Sequence, residues 1–125
     1  MFNFRTIALV LTLAFALTST TVASAKGGDD VRVRGTCTQS STAKLKLSRE
    51  DGRIEVEFEV DQNRNGVPWK VTLRRNGSLV ASATATTRGP SGSFELRRLV
   101  SGARETVTAT ATRASGERCT ARASI

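Results

Sequence analysis

Histidine and tyrosine are absent from this chain of 125 residues, which has only two cysteines and a single tryptophan. Without histidine, neither a Ser-His-Asp nor a Cys-His nucleophile can be assembled, and two lone thiols make no ordinary zinc site. Neither cysteine has a sequence neighbour of the kind that activates a thiol. Outside the first 25 residues the aromatics are Phe58, Trp69 and Phe94, too few for the stacking platforms that hold single-stranded nucleic acid. No later stretch is apolar enough to span a bilayer, and none repeats apolar residues at helical spacing.

The first 25 residues differ from everything after them. Arg5 precedes a mostly apolar run from Thr6 to Leu17, and Ala23-Ser24-Ala25 forms the small-residue cleavage pattern of a secretory leader. An uncleaved anchor is the rival reading, but Thr18, Ser19, Thr20, Thr21 and Ser24 suit a peptidase better than hydrocarbon. A lipid anchor requires cysteine directly after the cut, where Lys26 stands. The expected organisation is a signal peptide over 1–25, a short polar segment over 26–30 and one domain over 31–125, secreted and extracellular, periplasmic or cell-surface associated. Stable transmembrane insertion is not expected after cleavage.

Removing the leader takes away only Arg5, leaving 18 Lys and Arg against 11 Asp and Glu, a net charge of +7. A domain this short buries a modest core, so a covalent tie is useful. In an oxidising compartment Cys37 and Cys119 are expected to pair, setting the first strand beside the last.

From Val31 onward, short alternating runs are separated by turn signals: Val31 to Cys37, Thr42 to Ser48, Arg53 to Val60, Val67 to Arg74, Leu79 to Thr87, Ser93 to Val100, Thr106 to Arg113 and Arg118 to Ile125. Seven or eight strands at this spacing predict an all-β antiparallel sandwich. Asp51-Gly52 predicts a two-residue turn that sets Leu47 against Val56 and Leu45 against Phe58 on one face, with Lys46 against Glu57 and Lys44 against Glu59 on the other. The acidic row Glu55, Glu57, Glu59 thereby reads as a solvated ladder rather than catalytic carboxylates. Asn76-Gly77 marks a second hairpin in which two registers are open. A two-residue loop sets Val80, Ser82 and Thr84 on the Trp69 side, and a three-residue loop sets Leu79, Ala81, Ala83 and Ala85 there. Such loose specification suits a sheet edge.

The strand succession, the single Trp69 on the strand after the long hairpin, and the terminal Val107 to Ile125 hairpin resemble immunoglobulin-like and fibronectin type III-like sandwiches. The likeness departs from the immunoglobulin pattern in two ways: the cysteines lie at the domain's ends, and the tyrosine corner is missing. The stretch from Glu50 to Gly77 and the run Ser91-Gly92-Ser93-Phe94-Glu95 are also similar to small secreted bacterial proteins of uncharacterised function. This resemblance implies a location and a fold, and no active-site residues.

Asp61-Gln62-Asn63-Arg64-Asn65-Gly66 matches the opening half of an EF-hand loop, but the twelfth position is Thr72 instead of glutamate and Arg64 adds positive charge. A polar hairpin connection is the better reading, and neither metal nor cofactor is expected. Asn76-Gly77-Ser78 matches a glycosylation acceptor whose Asn-Gly is already explained as a turn. No catalytic residue is nominated, and the chain is read as non-enzymatic. The positive charge has two readings: a soluble, self-repelling surface, or attachment to an anionic cell-envelope polymer or an extracellular protein. Arg74, Arg75, Arg97 and Arg98 are the candidate anion-binding residues, because arginine binds phosphate and carboxylate through a planar fork. Nucleic acid is not expected. The expected function is a secreted, non-catalytic binding module using a basic face. The alternative is a secreted enzyme inhibitor acting through an exposed loop, at Gln62 to Pro68 or Arg88 to Gly92.

Overall fold

The computed structural model describes residues 30–125. The leader expected over 1–25 and residues 26–29 of the polar segment lie outside the described residues. The strands are β1 (Val31–Arg34), β2 (Thr36–Cys37), β3 (Thr42–Glu50), β4 (Arg53–Asp61), β5 (Pro68–Arg75), β6 (Ser78–Thr86), β7 (Ser93–Ser101), β8 (Thr106–Arg113) and β9 (Arg118–Ser124). They form two antiparallel sheets, one of four strands in the order β1-β3-β4-β7 and one of five in the order β2-β9-β8-β5-β6. The sheets pack as a sandwich. Among the described residues, no helix is long and apolar enough to cross a membrane.

Alternation decides which side of each strand meets the other sheet. In β4, Ile54, Val56, Phe58 and Val60 are fully buried while the intervening residues are not, and in β5 Trp69, Val71 and Leu73 do the same. Phe58 and Phe94 of the first sheet stand edge to face with ring centroids 6.4 Å apart, and Phe94 approaches Trp69 of the second sheet at 6.1 Å. These three rings couple the layers across the core.

The long hairpin has the expected register, with Leu47 opposite Val56, Leu45 opposite Phe58, Lys46 opposite Glu57 and Lys44 opposite Glu59. Asp51 and Gly52 have φ of 47° and 76°, the left-handed pair that a two-residue hairpin turn requires. The second hairpin combines both readings left open by the sequence. Asn76-Gly77 makes a two-residue turn with Arg75 opposite Ser78 and Arg74 opposite Leu79. The register then shifts, so that Leu73 faces Ala81, Val71 faces Ala83 and Trp69 faces Ala85. Val80 is the extra residue of this bulge, and it turns the alanines toward the core. β6 is an edge strand of its sheet, as its weak patterning implied.

The chain's entry into the domain is a crossing between sheets. β1 pairs with β3 in the first sheet and β2 with β9 in the second, with Gly35 as the step between them. A Cβ on Gly35 would stand 2.7 Å from the Thr120 carbonyl oxygen and 3.0 and 3.1 Å from the Cβ atoms of Ala43 and Ala121. Only glycine fits without moving backbone. Two residues later, Cys37 lies directly opposite Cys119 and the two are joined by a disulfide, with Cα atoms 4.0 Å apart. Gly35→Val is expected to lower unfolding stability by about 1–3 kcal/mol, the range for overpacking a close-packed site. A urea melt of the disulfide-intact protein measures it, and an unchanged midpoint would show that the crossing has slack.

Candidate anion-binding face

The structure does not bring the four nominated arginines together. Arg97 lies on the outer face of the four-stranded sheet, within 3.6 Å of Glu55, 2.7 Å of Glu57 and 3.1 Å of Glu95. Lys46 and Arg32 extend this network through Glu57 and Asp30. The Glu55 carboxyl is pushed up, chiefly by its Glu57 neighbour and by burial, against the attraction of Arg97. Arg98 pairs in register with Val56, on the core side of β7, yet is exposed at the sheet edge. Arg75 spans the rim of the sandwich and donates from one guanidinium nitrogen to the carbonyl and hydroxyl of Ser101, each at 2.7 Å. Arg74 alone stands on the outer face of the five-stranded sheet, where it donates to the Gly77 carbonyl at 3.3 Å.

That outer face is chemically unlike the other. Its five strands contain no Asp or Glu. Along them, each residue between two core positions faces solvent, and the pairing aligns these residues into rows. The central row is Ser82, Thr72, Thr110, Thr120 and Thr36, one hydroxyl from each strand. On one side runs Thr84, Lys70, Thr112 and Arg118; on the other, Leu79, Arg74, Thr108 and Arg122. Lys70, Arg74, Arg118 and Arg122 are all exposed. They mark the corners of a rectangle about 10 Å across the strands and about 13 Å along them, from the spacing and rise of a sheet. Among the described residues, no carboxylate lies within ion-pair distance of these four cations. A hollow of about 420 Å³ opens at one end of the face, beside Lys70, Thr84 and Thr112.

The two acids that flank these strands in sequence are engaged elsewhere. Glu105 accepts from the Asn76 side-chain amide at the rim. Glu117 is fully buried and accepts from the Ser41 amide at 3.0 Å, the Ser41 hydroxyl at 2.8 Å and Arg113 Nε at 2.9 Å. Arg113 also donates to Gln39 at 2.9 Å and lies 5.6 Å from the centre of the Trp69 ring. Burial by itself pushes the Glu117 carboxyl up, but Ser41 and Arg113 together outweigh it and hold the group below the ordinary carboxylate range.

The two loops considered for inhibition are locked to each other at one end of the sandwich. Thr87 donates its hydroxyl to the Arg64 carbonyl at 2.6 Å, while Gly66 and Gln62 donate to the carbonyls of Thr87 and Gly92 at 2.7 and 3.0 Å. Gly92 sits against the Asn63 and Arg64 backbone so closely that a Cβ would overlap it. In the half-EF-hand stretch, Asp61 Oδ1 accepts from the Asn63 amide and Gln62 Oε1 from the Trp69 indole, each at 3.0 Å, so these oxygens serve the fold.

Lys70, Arg118 and Arg122 were not grouped with Arg74 by sequence reasoning, and neither the hydroxyl row nor the buried Glu117 was foreseen. One signal was available: residues 62–94 contain no acid. Comparison with known proteins found no family model, no curated protein and no solved structure that matches the chain.

Because its folded value lies below the ordinary 4.5, Glu117 contributes stability that is fully present above that pH and is lost as pH falls through the folded value. Glu117→Ala is expected to cost about 3 kcal/mol at pH 7, the low end for a broken buried pair because Arg113 keeps some solvent access. The variant should also lose part of the acid sensitivity below pH 4.5, as followed by denaturant melts across pH. Parallel pH profiles for the two proteins would remove Glu117 from the account.

Proposed function

We propose that this protein is a secreted, non-catalytic binding module that attaches to an anionic polymer of the cell envelope or extracellular matrix through the outer face of its five-stranded sheet. The single observation that carries this reading is the segregation of charge: one outer face holds an ion-paired mixture of both signs, and the other holds four exposed cations among hydroxyls and no acid. Uncompensated charge of one sign on a flat face attracts polyanions and repels cations. Export is supported by the leader pattern and by the Cys37–Cys119 disulfide, which suits an oxidising compartment.

The strand order supports a fibronectin type III-like sandwich. With the long strands β3 to β9 lettered a to g, the sheets are a-b-e and g-f-c-d. Immunoglobulin constant-type domains divide as ABED and CFG, so the fourth strand has changed sheets here. The disulfide also differs, since it ties neighbouring strands of one sheet.

Charge reversal separates this face from the arginines outside it. The quadruple variant Lys70→Glu, Arg74→Glu, Arg118→Glu, Arg122→Glu should abolish retention on a polyphosphate or acidic-polysaccharide matrix. Arg97→Glu with Arg98→Glu should leave it intact. Raising salt tenfold should weaken wild-type binding by roughly 600-fold or more, as displacement of counterions from a polyanion by about four cations requires. Retention that survives high salt and the quadruple reversal would sink the proposal.

A further inference from the structure

We infer that the ligand of this face is an extended acidic glycan lying across the strands along the central hydroxyl row, an inference that rests on the polyanion-binding reading above. The row Ser82, Thr72, Thr110, Thr120, Thr36 presents one hydroxyl per strand, hence one about every 4.8 Å. That step is close to the length of one sugar ring in an extended chain, so successive sugars can meet successive hydroxyls in the same way. A threonine hydroxyl both donates and accepts, as does a sugar hydroxyl. The oxygens of an ionised phosphodiester only accept and would leave the threonine lone pairs unused.

The cations flank the row instead of occupying it. Lys70 and Arg118 stand on one side, Arg74 and Arg122 on the other. The middle is thus left to the neutral rings of a polymer, with positive charge where pendant carboxylates project to either side. Arginine meets a carboxylate with two parallel hydrogen bonds, and three of the four cations are arginines. The hollow beside Lys70 adds room for such a substituent. Thr72, Thr110 and Thr120 are each half-buried, and β-branching stiffens their first side-chain torsion, so ordering them on binding costs little entropy.

Other polyanionic surfaces fit less well. No aromatic stands on this face for a base to stack upon, because Trp69 is buried on the core side. Insertion into lipid would need an apolar cluster, and Leu79 is the one large apolar residue exposed on the face.

The test compares two probes of similar chain length at low salt, polygalacturonate and inorganic polyphosphate, by titration calorimetry on the disulfide-intact protein. The triple variant Thr72→Val, Thr110→Val, Thr120→Val removes three hydroxyls while keeping shape, strand propensity and charge. Its affinity for polygalacturonate should fall roughly tenfold or more, as loss of several hydrogen bonds requires, while polyphosphate binding stays within about twofold. The corresponding triple serine variant retains the hydroxyls and should bind polygalacturonate within about threefold of wild type. It keeps the question measurable should the valine variant fail to fold. Unchanged polygalacturonate binding by the valine variant, or a wild type that binds polyphosphate or a DNA duplex but not polygalacturonate, would overturn the glycan assignment and leave the polyanion reading standing. Binding to none of the probes would remove both.

Discussion

The outer face of the five-stranded sheet depends on the last strand staying in place, and the clasp between Cys37 and Cys119 adds a covalent tie to its pairing with β8. On their inner side β8 and β9 bury Val107, Ala109, Ala111, Cys119, Ala121 and Ala123, mostly small side chains that remove little apolar area from water. The first sheet brings leucines, isoleucine, valines and phenylalanines to the same core. With about 25 cal/mol gained per Å² of apolar surface buried, alanine strands contribute least to their own retention. A disulfide closing 82 residues contributes about 4.5 kcal/mol in the chain-entropy account. It acts where hydrophobic burial is weakest.

Small inner residues also make the crossing strand feasible. Gly35 passes between Ala43 of one sheet and Ala121 of the other, and neither neighbour has a side chain long enough to obstruct it. β1 then continues the first sheet and β2 the second, so one short segment closes both layers at the same edge. Glu117 and Arg113 reinforce this corner: they bind Ser41 and Gln39, from the connection between β2 and β3. Covalent, steric and ionic ties converge at the point where the chain changes sheets.

The two outer faces show how one pattern of alternation can serve two purposes. On the four-stranded sheet, the row Arg32, Lys46, Glu57, Arg97 mixes both signs across the strands, and Arg97 closes the array by meeting three carboxylates. Such exposed pairs add little stability, about 0–1 kcal/mol each, but they cancel the field of that face. On the five-stranded sheet no carboxylate among the described residues pairs with the outer cations. The domain is therefore electrically two-sided, although its composition shows only a net positive balance.

Much of the fold was legible in the sequence. Alternation and turn dipeptides are local signals, so the strands, the Lys-Glu ladder of the long hairpin and the pairing of its apolar residues could be read directly. The two cysteines, set in a chain with an export pattern, pointed to each other and so to adjacent first and last strands. The Asn76-Gly77 register stayed open because a bulge at Val80 satisfies both turn and core, and a bulge leaves no local signature. The site was hidden for a different reason. Arg74 and Arg75 are adjacent in sequence, but strand alternation sends one to the outer face and the other to the rim. Lys70, Arg118 and Arg122 join Arg74 only when β5, β8 and β9 are laid side by side. Sequence alone settled which residues alternate and where the chain turns, because those are short-range properties of the backbone. Which cations share a face was decided by the assignment of strands to sheets, a long-range outcome of packing two unequal layers around one core.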